Sequence, residues 1–346
     1  MSTRVQLTAW LTAVALLASL LTGWLIAPRH YRVVGRSMLP AIIDGDVVEV
    51  GGRLASWRVP KRQERWLAEM PDGTEVLKRI VGLPGETLTI VDGDLLINDT
   101  HLLPSPQLLA QTAADVSGGR WTTTRSDRGL WHEYQHLVVD HSQPLASPVR
   151  VVPGPIYDSL ADDREEHRRL LPVFSVGLAT VVEHSHHVST DLLVCIGPQA
   201  AKIRLAGERR TAVIAGRLAT RFVVAAWQLP ATHEAAKVFP SSPLPAPPLI
   251  EWSLTSNALP LTSSVTAPRI AIGVPSDRPS TASPTVLHDL RVWRAPHHTP
   301  APDGTHSWTI PPDHVFLLGD HPTASRDSRH FGPLSTHQLV APLLGQ

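Results

Sequence analysis

Short apolar strings, separated by prolines and other turn residues, run through most of this 346-residue chain. The 32 prolines remove backbone donors and interrupt helices, so they favour a loop-rich and β-rich protein over a helical one. Many short strands at fairly even spacing are typical of antiparallel sheets. The length suggests two domains rather than one. The pattern therefore predicts a mainly β fold.

Several of the predicted strands lie near the two ends of the chain. They cover residues 31–34, 47–50, 75–81, 88–91, 95–97 and 315–318. Asp44 and Gly45 form a turn between the first two strands, and Asp92 and Gly93 predict a hairpin between the fourth and the fifth. Residues 51–73 form a polar, tryptophan-bearing segment in which no strand is predicted.

The composition changes between residues 101 and 310. Strand-like strings there occupy residues 137–139, 192–196, 202–205, 212–214, 222–227, 270–274 and 286–293. Proline- and serine-rich connectors cover residues 240–248 and 275–284, and a charge run at 162–169 indicates a solvated helix or loop. This spacing predicts an antiparallel sandwich.

Residues 7–27 contain no charge. As a helix, about 21 residues span roughly 31 Å, close to the thickness of a bilayer's hydrocarbon core. Trp10 and Trp24 lie near the two ends of the run, where indoles favour the membrane interface. The run predicts one transmembrane anchor over residues 1–28. A cleaved signal peptide is the alternative, although the run is long for an h-region and Ala27–Pro28 is a poor cleavage junction.

The distribution of charge and cysteine bears on orientation and partners. Arg4 precedes the uncharged run while three arginines between residues 29 and 36 follow it, which argues mildly for a cytoplasmic C-terminus. The formal net charge is zero, so a nucleic-acid partner is not expected.

Cys195 is the single cysteine, which excludes an intrachain disulfide, and its apolar strand pattern predicts a core position.

A serine becomes a good nucleophile only when a base takes its proton, and two kinds of base are present. Histidines are plentiful but scattered, and no Gly-x-Ser-x-Gly elbow favours one of them. Lys78 lies in an apolar string, where period-two alternation would place it on one face with Val76 and Ile80. Burial on that face would lower its pKa and let the neutral amine act as a base. The alternative is a surface lysine whose charged end reaches water.

Short strings of chemical interest follow the uncharged run in a fixed order. They are Ser-Met-x-Pro at 37–40 with Gly-Asp at 45–46, Lys-Arg-Ile-Val-Gly-Leu-Pro-Gly-Glu at 78–86, Gly-Asp at 319–320 and Ser-x-Asp-Ser-Arg-x-x-Gly at 325–332. Together they resemble the bacterial type I signal peptidases, over residues 1–98 and 313–345. The resemblance implies an antiparallel β catalytic domain in two segments, 29–100 and 311–346, around an inserted β-rich domain at 101–310. The insertion looks similar to those of planctomycete signal peptidases.

The resemblance implies a role for each matching residue. Ser37 would be the nucleophile, and Lys78 would be the general base that returns the proton to the leaving amine. The supporting residues would be Ser325, Asp327, Arg329, Gly319 and Asp320. Within this set, the serine would orient the lysine through a hydrogen bond, and the pair of Asp327 with Arg329 would hold the last motif in place.

Three positions depart from the family pattern. Gly35 stands where some members add a serine side chain to the oxyanion hole, so the Ser37 N–H would be the first donor and any second donor must be another group or water. Ala41 replaces the usual threonine, and His321 stands where asparagine normally follows Gly-Asp. Neither of these two changes removes a proton-transfer group, so an active enzyme is expected.

The family binds the end of a signal peptide as an added β-strand. The resemblance places that strand against two segments, one leading to the serine and one leading to the lysine. The residues concerned are Val33, Val34, Gly35, Arg36, Met38, Glu75, Val76 and Leu77. Small apolar pockets lined by Val34, Met38, Leu39 and Ile42 would favour alanine or similar residues one and three positions before the cut. Core packing explains the same apolar residues equally well.

The inserted region carries one further resemblance. Residues 285–294 look like the closing strand of concanavalin-like or laminin-G-like sandwiches, which implies recognition of a substrate, a glycan or an envelope component. An enlarged non-catalytic domain is the simpler alternative. Histidines at 184, 186–187 and 297–298 could bind a metal, but no carboxylate or cysteine spacing supports a site, and no cofactor is expected.

These features together predict a membrane-bound serine endopeptidase that removes signal peptides from exported preproteins. Its partners would be those preproteins, the lipid bilayer and the Sec translocon. The family implies a catalytic domain on the outer face of the cytoplasmic membrane, against the mild charge signal. One alternative is a self-cleaving SOS-type repressor peptidase, which would carry a DNA-binding head. The other is an anchored binding protein on an inactive peptidase frame.

Overall fold

The computed structural model describes most of the chain in two compact units. The described residues are 3–70, 72–116, 119–126, 129–139, 151–153, 155–156, 158, 172–173, 175–184, 190–197, 199–205, 210–218, 221–229, 270–275 and 285–345. The first unit combines Met1–Leu102 with His298–Gln346, and the second unit comprises Leu103–His297. The predicted charge run at 162–169, the connectors at 240–248 and 276–284, and the histidines at 186–187 lie outside the described residues.

Strands dominate the described part of the chain, which confirms the prediction of a mainly β fold. Up to Leu102 the elements are α1 (Thr3–Ile26), β1 (Arg29–Arg32), β2 (Val47–Val50), β3 (Arg65–Glu69), β4 (Glu75–Gly82), β5 (Thr87–Val91), β6 (Asp94–Ile97) and β7 (Thr100–His101). The second unit contains α2 (Pro106–Thr112), β8 (Ala114–Asp115), β9 (Gly119–Ser126), β10 (Gly129–Val139), β11 (Val151–Pro153), β12 (Val176–Glu183), β13 (Thr190–Ile196), β14 (Gln199–Leu205), β15 (Arg210–Leu218), β16 (Arg221–Gln228), β17 (Ile270–Pro275) and β18 (Val286–Arg294). The first unit then resumes with β19 (Ser307–Thr309), β20 (His314–Leu318), α3 (Ser328–Phe331), β21 (Leu334–Ser335) and β22 (Leu339–Pro342).

Within the first unit, the end of α1 packs against the segment that follows β2. The Arg53 guanidinium lies 3.7 Å from the ring centroid of Trp24, and a Cβ on Gly52 would lie 2.5 Å from the carbonyl of Ile26. Among the residues that the structure describes, no helix is both long and apolar enough to cross a membrane. The predicted transmembrane anchor over residues 1–28 is therefore not supported.

The residues that the structure describes in the first unit form three antiparallel sheets. The strand order is β21-β20-β4-β3-β22 in the largest and β19-β5-β6-β7 in the second, and β1 pairs with β2 in the third. Strand β4 is central in the largest sheet and is buried from residue 77 to residue 82. Its Ile80 packs with Trp66 and Leu317, while Val81 packs with Phe316 in another apolar cluster. These clusters fix β4 in place.

Strand β3 lies in the segment where the sequence pattern predicts no strand. Its pairing with β4 sets Trp66 opposite Lys78 and Arg65 opposite Arg79. Trp66 is fully buried and Arg65 is 7 % exposed. The charged residues of β3 interrupt any alternation of apolar and polar residues, so the sequence does not predict this strand. Tertiary contacts bury its arginine.

The hairpin of β5 and β6 confirms the predicted turn. Asp92 and Gly93 have φ angles of 50° and 87°, the positive values that a two-residue type I′ turn requires. Asp92 tolerates this region because its short polar side chain can hydrogen-bond locally. The hairpin forms the centre of the four-stranded sheet.

The predicted boundary of the insertion at residue 310 is too late. Strand β19, which falls inside the predicted insertion, pairs with β5 so that Trp308 lies opposite Leu88. The Trp308 ring packs against Phe316 of β20, with 5.0 Å between ring centroids. Because these contacts pack a partly buried indole into the first unit, the residues from His298 onward belong to that unit.

Two antiparallel sheets build the described part of the second unit. The strand order is β11-β10-β17-β13-β14, with β9 also paired to β10, in one sheet and β16-β15-β12-β18-β8 in the other. Leu192 and Ile272 from the first sheet share one buried cluster with Val213 and Val224 from the second. Sheets that share an apolar core in this way form a sandwich. The likeness to concanavalin-like proteins stays a prediction.

Further apolar contacts cover the outer faces of this unit. On α2, Leu109 packs with Trp227 and Trp293. Cys195 is buried on β13 beside Ala271, which confirms its predicted core position. The seven strings predicted between residues 137 and 293 all fall within strands, whereas β9 and β12 are not predicted.

Candidate active site

Ser37 lies in the connection between β1 and β2. The two ends of this connection are tied together, because the Val33 N–H donates to the Asp46 carbonyl at 2.8 Å and the Gly45 N–H donates to the Val33 carbonyl at 2.9 Å. Met38 is 1 % exposed and packs in an apolar cluster that includes residues of β2, β3 and β4. The buried methionine therefore holds the neighbouring serine against the central sheet.

The Gly-Asp string after the serine shapes the same connection. Gly35 has a φ of 96°, and its N–H donates to Asp44 Oδ1 at 2.8 Å. The Ile43 N–H donates to Asp46 Oδ2 at 2.9 Å. Each carboxylate thus satisfies a backbone donor, and glycine at position 35 adopts a φ that other residues rarely adopt.

Lys78 contacts Ser37 directly. Its Nζ lies 2.8 Å from Ser37 Oγ and 3.1 Å from the Leu77 carbonyl oxygen. Lys78 is only 4 % exposed, so it is not a surface lysine whose end reaches water. Val76 and Ile80, which alternation places on the same face, both pack in one apolar cluster.

Burial lowers the pKa of Lys78 below its ordinary value of 10.5. The negative charges of Asp327 and Asp320 act in the opposite direction, but their effect is smaller. A lowered pKa makes the uncharged amine available at lower pH than in an exposed lysine. An uncharged amine at 2.8 Å can accept the proton of the Ser37 hydroxyl.

The last motif is organised around a buried ion pair. Asp327 has no exposed surface, and it accepts hydrogen bonds from Arg329 Nε at 2.8 Å and Nη2 at 2.9 Å. The Gly319 N–H donates to Asp327 Oδ2 at 3.1 Å. Arg329 Nη2 also donates to the Pro322 carbonyl at 2.5 Å. These bonds connect the motif to the end of β20.

Asp320 forms a second buried ion pair. Its two carboxylate oxygens accept from Arg79 Nε and Nη2, each at 2.6 Å. Both side chains are less than 10 % exposed. Because Arg79 follows Lys78 on β4, this pair joins the Gly-Asp string to the lysine strand.

Gly319 lies between the two serines of the site. A Cβ at this position would lie 2.5 Å from the Ser37 carbonyl oxygen and 2.3 Å from Ser325 Oγ. Any side chain would therefore displace one of these residues. Close approach of backbone segments is the physical reason for glycine here.

The predicted hydrogen bond between Ser325 and Lys78 is not found. Ser325 Oγ is buried, and among the described residues it has no hydrogen-bond partner. The Ser325 hydroxyl contributes to the lowered pKa of Asp327, but its contact with that carboxylate does not have the geometry of a hydrogen bond. Instead, the structure pairs the lysine with Ser37 and with the Leu77 carbonyl.

The two segments predicted to flank the substrate approach each other at one end. Tyr31, near the end of β1, has its hydroxyl 3.5 Å from Glu75 Oε1 at the start of β4. Val34 is 87 % exposed and is open to a ligand, whereas Met38 and Leu77 are core residues. Met38 is buried in the core, and its pocket-lining role stays a prediction.

His321 is a residue that the sequence indicates only as a departure from the family pattern. It is 3 % exposed, and its N–H donates to the Ser37 carbonyl at 3.0 Å. Its position directly after Gly-Asp is the one sequence signal that could have placed it near the serine. Among the described residues, no cluster of histidine, cysteine or carboxylate side chains is suited to a metal ion.

Comparison with known families identifies the same segments. The sequence model of the family described as "Signal peptidase, peptidase S26" matches residues 4–151 and 277–343, more than half of the chain. These segments contain Ser37, Lys78 and the last motif, with an insertion between them. A comparison with curated proteins finds no match. The chain therefore belongs to the S26 signal peptidases.

Proposed function

We propose that this chain is a serine endopeptidase that removes signal peptides from exported preproteins, with Ser37 as the nucleophile and Lys78 as the general base. The observation that supports this assignment best is the 2.8 Å distance between Ser37 Oγ and the buried Lys78 Nζ. A hydroxyl within hydrogen-bond reach of a desolvated amine is the arrangement that nucleophilic catalysis by a Ser-Lys pair needs.

The proposed reaction has two stages. The uncharged Lys78 amine takes the hydroxyl proton while Ser37 Oγ attacks the carbonyl carbon of the scissile peptide bond. The resulting ammonium gives that proton to the leaving amine as the C–N bond breaks, and an acyl-enzyme forms on Ser37. Lys78 then removes a proton from water, the hydroxide attacks the ester carbonyl, and the proton returns to Ser37 Oγ.

The tetrahedral intermediates carry a negative oxygen that needs a donor. The Ser37 N–H makes no hydrogen bond in the described part of the chain, so it is free to serve as this donor. Gly35 cannot add a side-chain donor. The backbone N–H of the nucleophile therefore carries a large share of the stabilisation, and one such donor is typically worth about 10²–10³ in rate.

The proposed substrate binds as an extended strand between the segments that precede Ser37 and Lys78. The exposed Val34 and the half-buried Val76 lie on these two segments. Small side chains one and three positions before the cut would fit there, because larger ones would meet the packed residues around Met38.

A specificity measurement tests this function. The purified chain is expected to cleave a preprotein after alanine, and leucine at the position before the cut is expected to slow cleavage by at least about a hundredfold. The Ser37→Ala variant is expected to be inactive toward both. Cleavage that ignores the residue before the cut, or that survives in Ser37→Ala, would contradict the proposal.

We place the reaction at the outer face of the cytoplasmic membrane, beside the Sec translocon. Exposed apolar side chains along α1, among them Leu17, Leu20 and Trp24, support contact between this helix and lipid. The purified chain is therefore expected to float with liposomes in a density gradient, and a variant without residues 1–27 is expected to lose this binding. Equal flotation of both proteins would contradict a role of α1 in membrane contact.

A further inference from the structure

The side chain of His321 holds the peptide group that precedes the nucleophile. Its Nδ1 lies 3.2 Å from the Arg36 carbonyl oxygen, and its Nε2 lies 3.0 Å from Thr323 Oγ1. A carbonyl oxygen can only accept, so Nδ1 carries the proton in this contact. The Thr323 hydroxyl can then donate to Nε2, so both ring nitrogens have a partner in this tautomer.

The Arg36 carbonyl belongs to the same peptide group as the Ser37 N–H. This group is planar and trans, so its N–H points opposite to its C=O. The Arg36 oxygen also accepts from the Leu39 N–H at 3.2 Å, and the His321 N–H binds the next carbonyl, that of Ser37, at 3.0 Å. Fixing these carbonyls fixes the direction of the Ser37 N–H.

We propose that His321 is a positioning residue that aims the Ser37 N–H at the developing oxyanion. The inference rests on the proposed peptidase function. A hydrogen bond accepted by the carbonyl end of an amide also polarises its N–H, which strengthens the donor. With glycine at position 35, no side chain two positions before Ser37 compensates for a misdirected N–H, so this support has a large effect on the rate.

The contact explains why histidine is tolerated where the family pattern has asparagine. The Nδ2 of an asparagine side chain is the same number of bonds from Cα as the Nδ1 of histidine, so it can donate to the same carbonyl. His321→Asn should therefore keep the orienting bond, whereas His321→Ala removes it. His314 provides a matched control, because its Nδ1 donates to the Pro312 carbonyl at 2.9 Å away from the serine.

Steady-state cleavage of a preprotein tests the proposal. His321→Ala is expected to lower kcat by about ten- to a hundredfold with little change in KM, because the lost interaction acts on the transition state. The kcat of His321→Asn is expected to stay within about threefold of the wild-type value, because this variant keeps the orienting bond. His314→Ala is expected to be unchanged. Equal loss in His321→Ala and His321→Asn would overturn the proposal.

A second measurement separates positioning from a general loss of structure. A substrate-like peptide aldehyde forms a hemiacetal with Ser37 whose oxygen occupies the oxyanion position, whereas the matching peptide alcohol cannot form this adduct. His321→Ala is expected to weaken aldehyde binding by about the same factor as kcat and to leave alcohol binding unchanged. Equal weakening of both ligands would overturn the positioning role.

These results are distinguishable from a failure of the proposed function itself. If the wild type does not cleave preproteins, or if Ser37→Ala remains active, the peptidase assignment fails. If the wild type and Ser37→Ala behave as expected but His321→Ala retains full kcat, the assignment stands and the role of His321 is wrong.

Discussion

Replacing Lys78 by alanine is expected to reduce preprotein cleavage by about a thousandfold or more. The amine is the general base in the proposed mechanism, and a positioned acid–base group contributes about 10²–10⁴ in rate. Among the described residues that contact Ser37 Oγ, Lys78 is the titratable one, at 2.8 Å. The measurement is kcat/KM for a preprotein with alanine before the cut.

The Lys78→Arg variant is the sharper control. Arginine keeps the positive charge and much of the length of the side chain, but it cannot lose its proton in a protein. We therefore expect Lys78→Arg to be as inactive as Lys78→Ala while its circular dichroism stays that of the wild type. Substantial cleavage by Lys78→Arg would show that the lysine acts through its charge and not as a base.

The pH dependence follows from the lowered pKa of Lys78. Activity is expected to rise as the pH increases through that lowered pKa, and to level off at a lower pH than an ordinary lysine with a pKa of 10.5 would give. In the unfolded chain the lysine holds its proton to higher pH, so between the two pKa values unfolding takes up a proton and stability rises with pH. A Lys78→Met variant should lose this rise, which tests the pKa without any assay of cleavage.

The second large effect is expected on stability. Replacing Asp327 by alanine is expected to lower the free energy of unfolding of the first unit by about 3–5 kcal/mol, because it leaves the buried Arg329 charge without its partner. Asp327 is 0 % and Arg329 is 4 % exposed, so water cannot replace the lost bonds. Urea unfolding followed by tryptophan fluorescence, to which the buried Trp66 of this unit contributes, provides the measurement.

Two further variants make this prediction specific. In the double variant Asp327→Ala with Arg329→Met, the loss is expected to be smaller than the sum of the two single losses, because the two side chains interact directly. Arg58→Ala breaks the Arg58–Glu64 pair, in which the arginine side chain is 47 % exposed, and is expected to cost less than about 1 kcal/mol. Additive losses in the double variant would contradict a direct interaction.

Acid is expected to produce the same loss in the wild type. Burial alone would raise the pKa of Asp327, but the hydrogen bonds and charge of Arg329 together with the Gly319 N–H hold it below its ordinary value of 3.8. The stabilisation is then complete above 3.8 and is lost as the pH falls through the lowered value. The Asp327→Ala variant should lack this step in an acid titration of stability.

Local patterns in the sequence were sufficient to predict several parts of this structure. The alternation around Lys78 predicted a strand with Val76 and Ile80 on the lysine's face, and the pair Asp92–Gly93 predicted the hairpin of β5 and β6. Both patterns work because strand geometry and positive φ angles depend on neighbouring residues only. The order of the short strings around Ser37 identified the family.

Other parts depended on contacts between distant segments. Strand β3 is hidden by the charge of Arg65. The hydrogen bond predicted for Ser325 is not found among the described residues, and Arg329 holds the loop that carries this serine through Asp327 and the Ser325 carbonyl. The end of the insertion was misplaced because Trp308 packs against β5 and β20 in the first unit. None of these contacts leaves a periodic signal.

The sequence by itself determined which residues could carry the chemistry, since a serine and a lysine in recognisable strings are properties of the chain. Only the tertiary structure decided that Lys78 is desolvated and lies 2.8 Å from Ser37, which is 41 positions away in the chain. Burial beside Trp66 lowers the pKa of the amine, and the two aspartates nearby limit how far it falls. The desolvation of the amine and its distance from the hydroxyl depend on which residues become neighbours in space. Local patterns along the chain therefore do not reveal them.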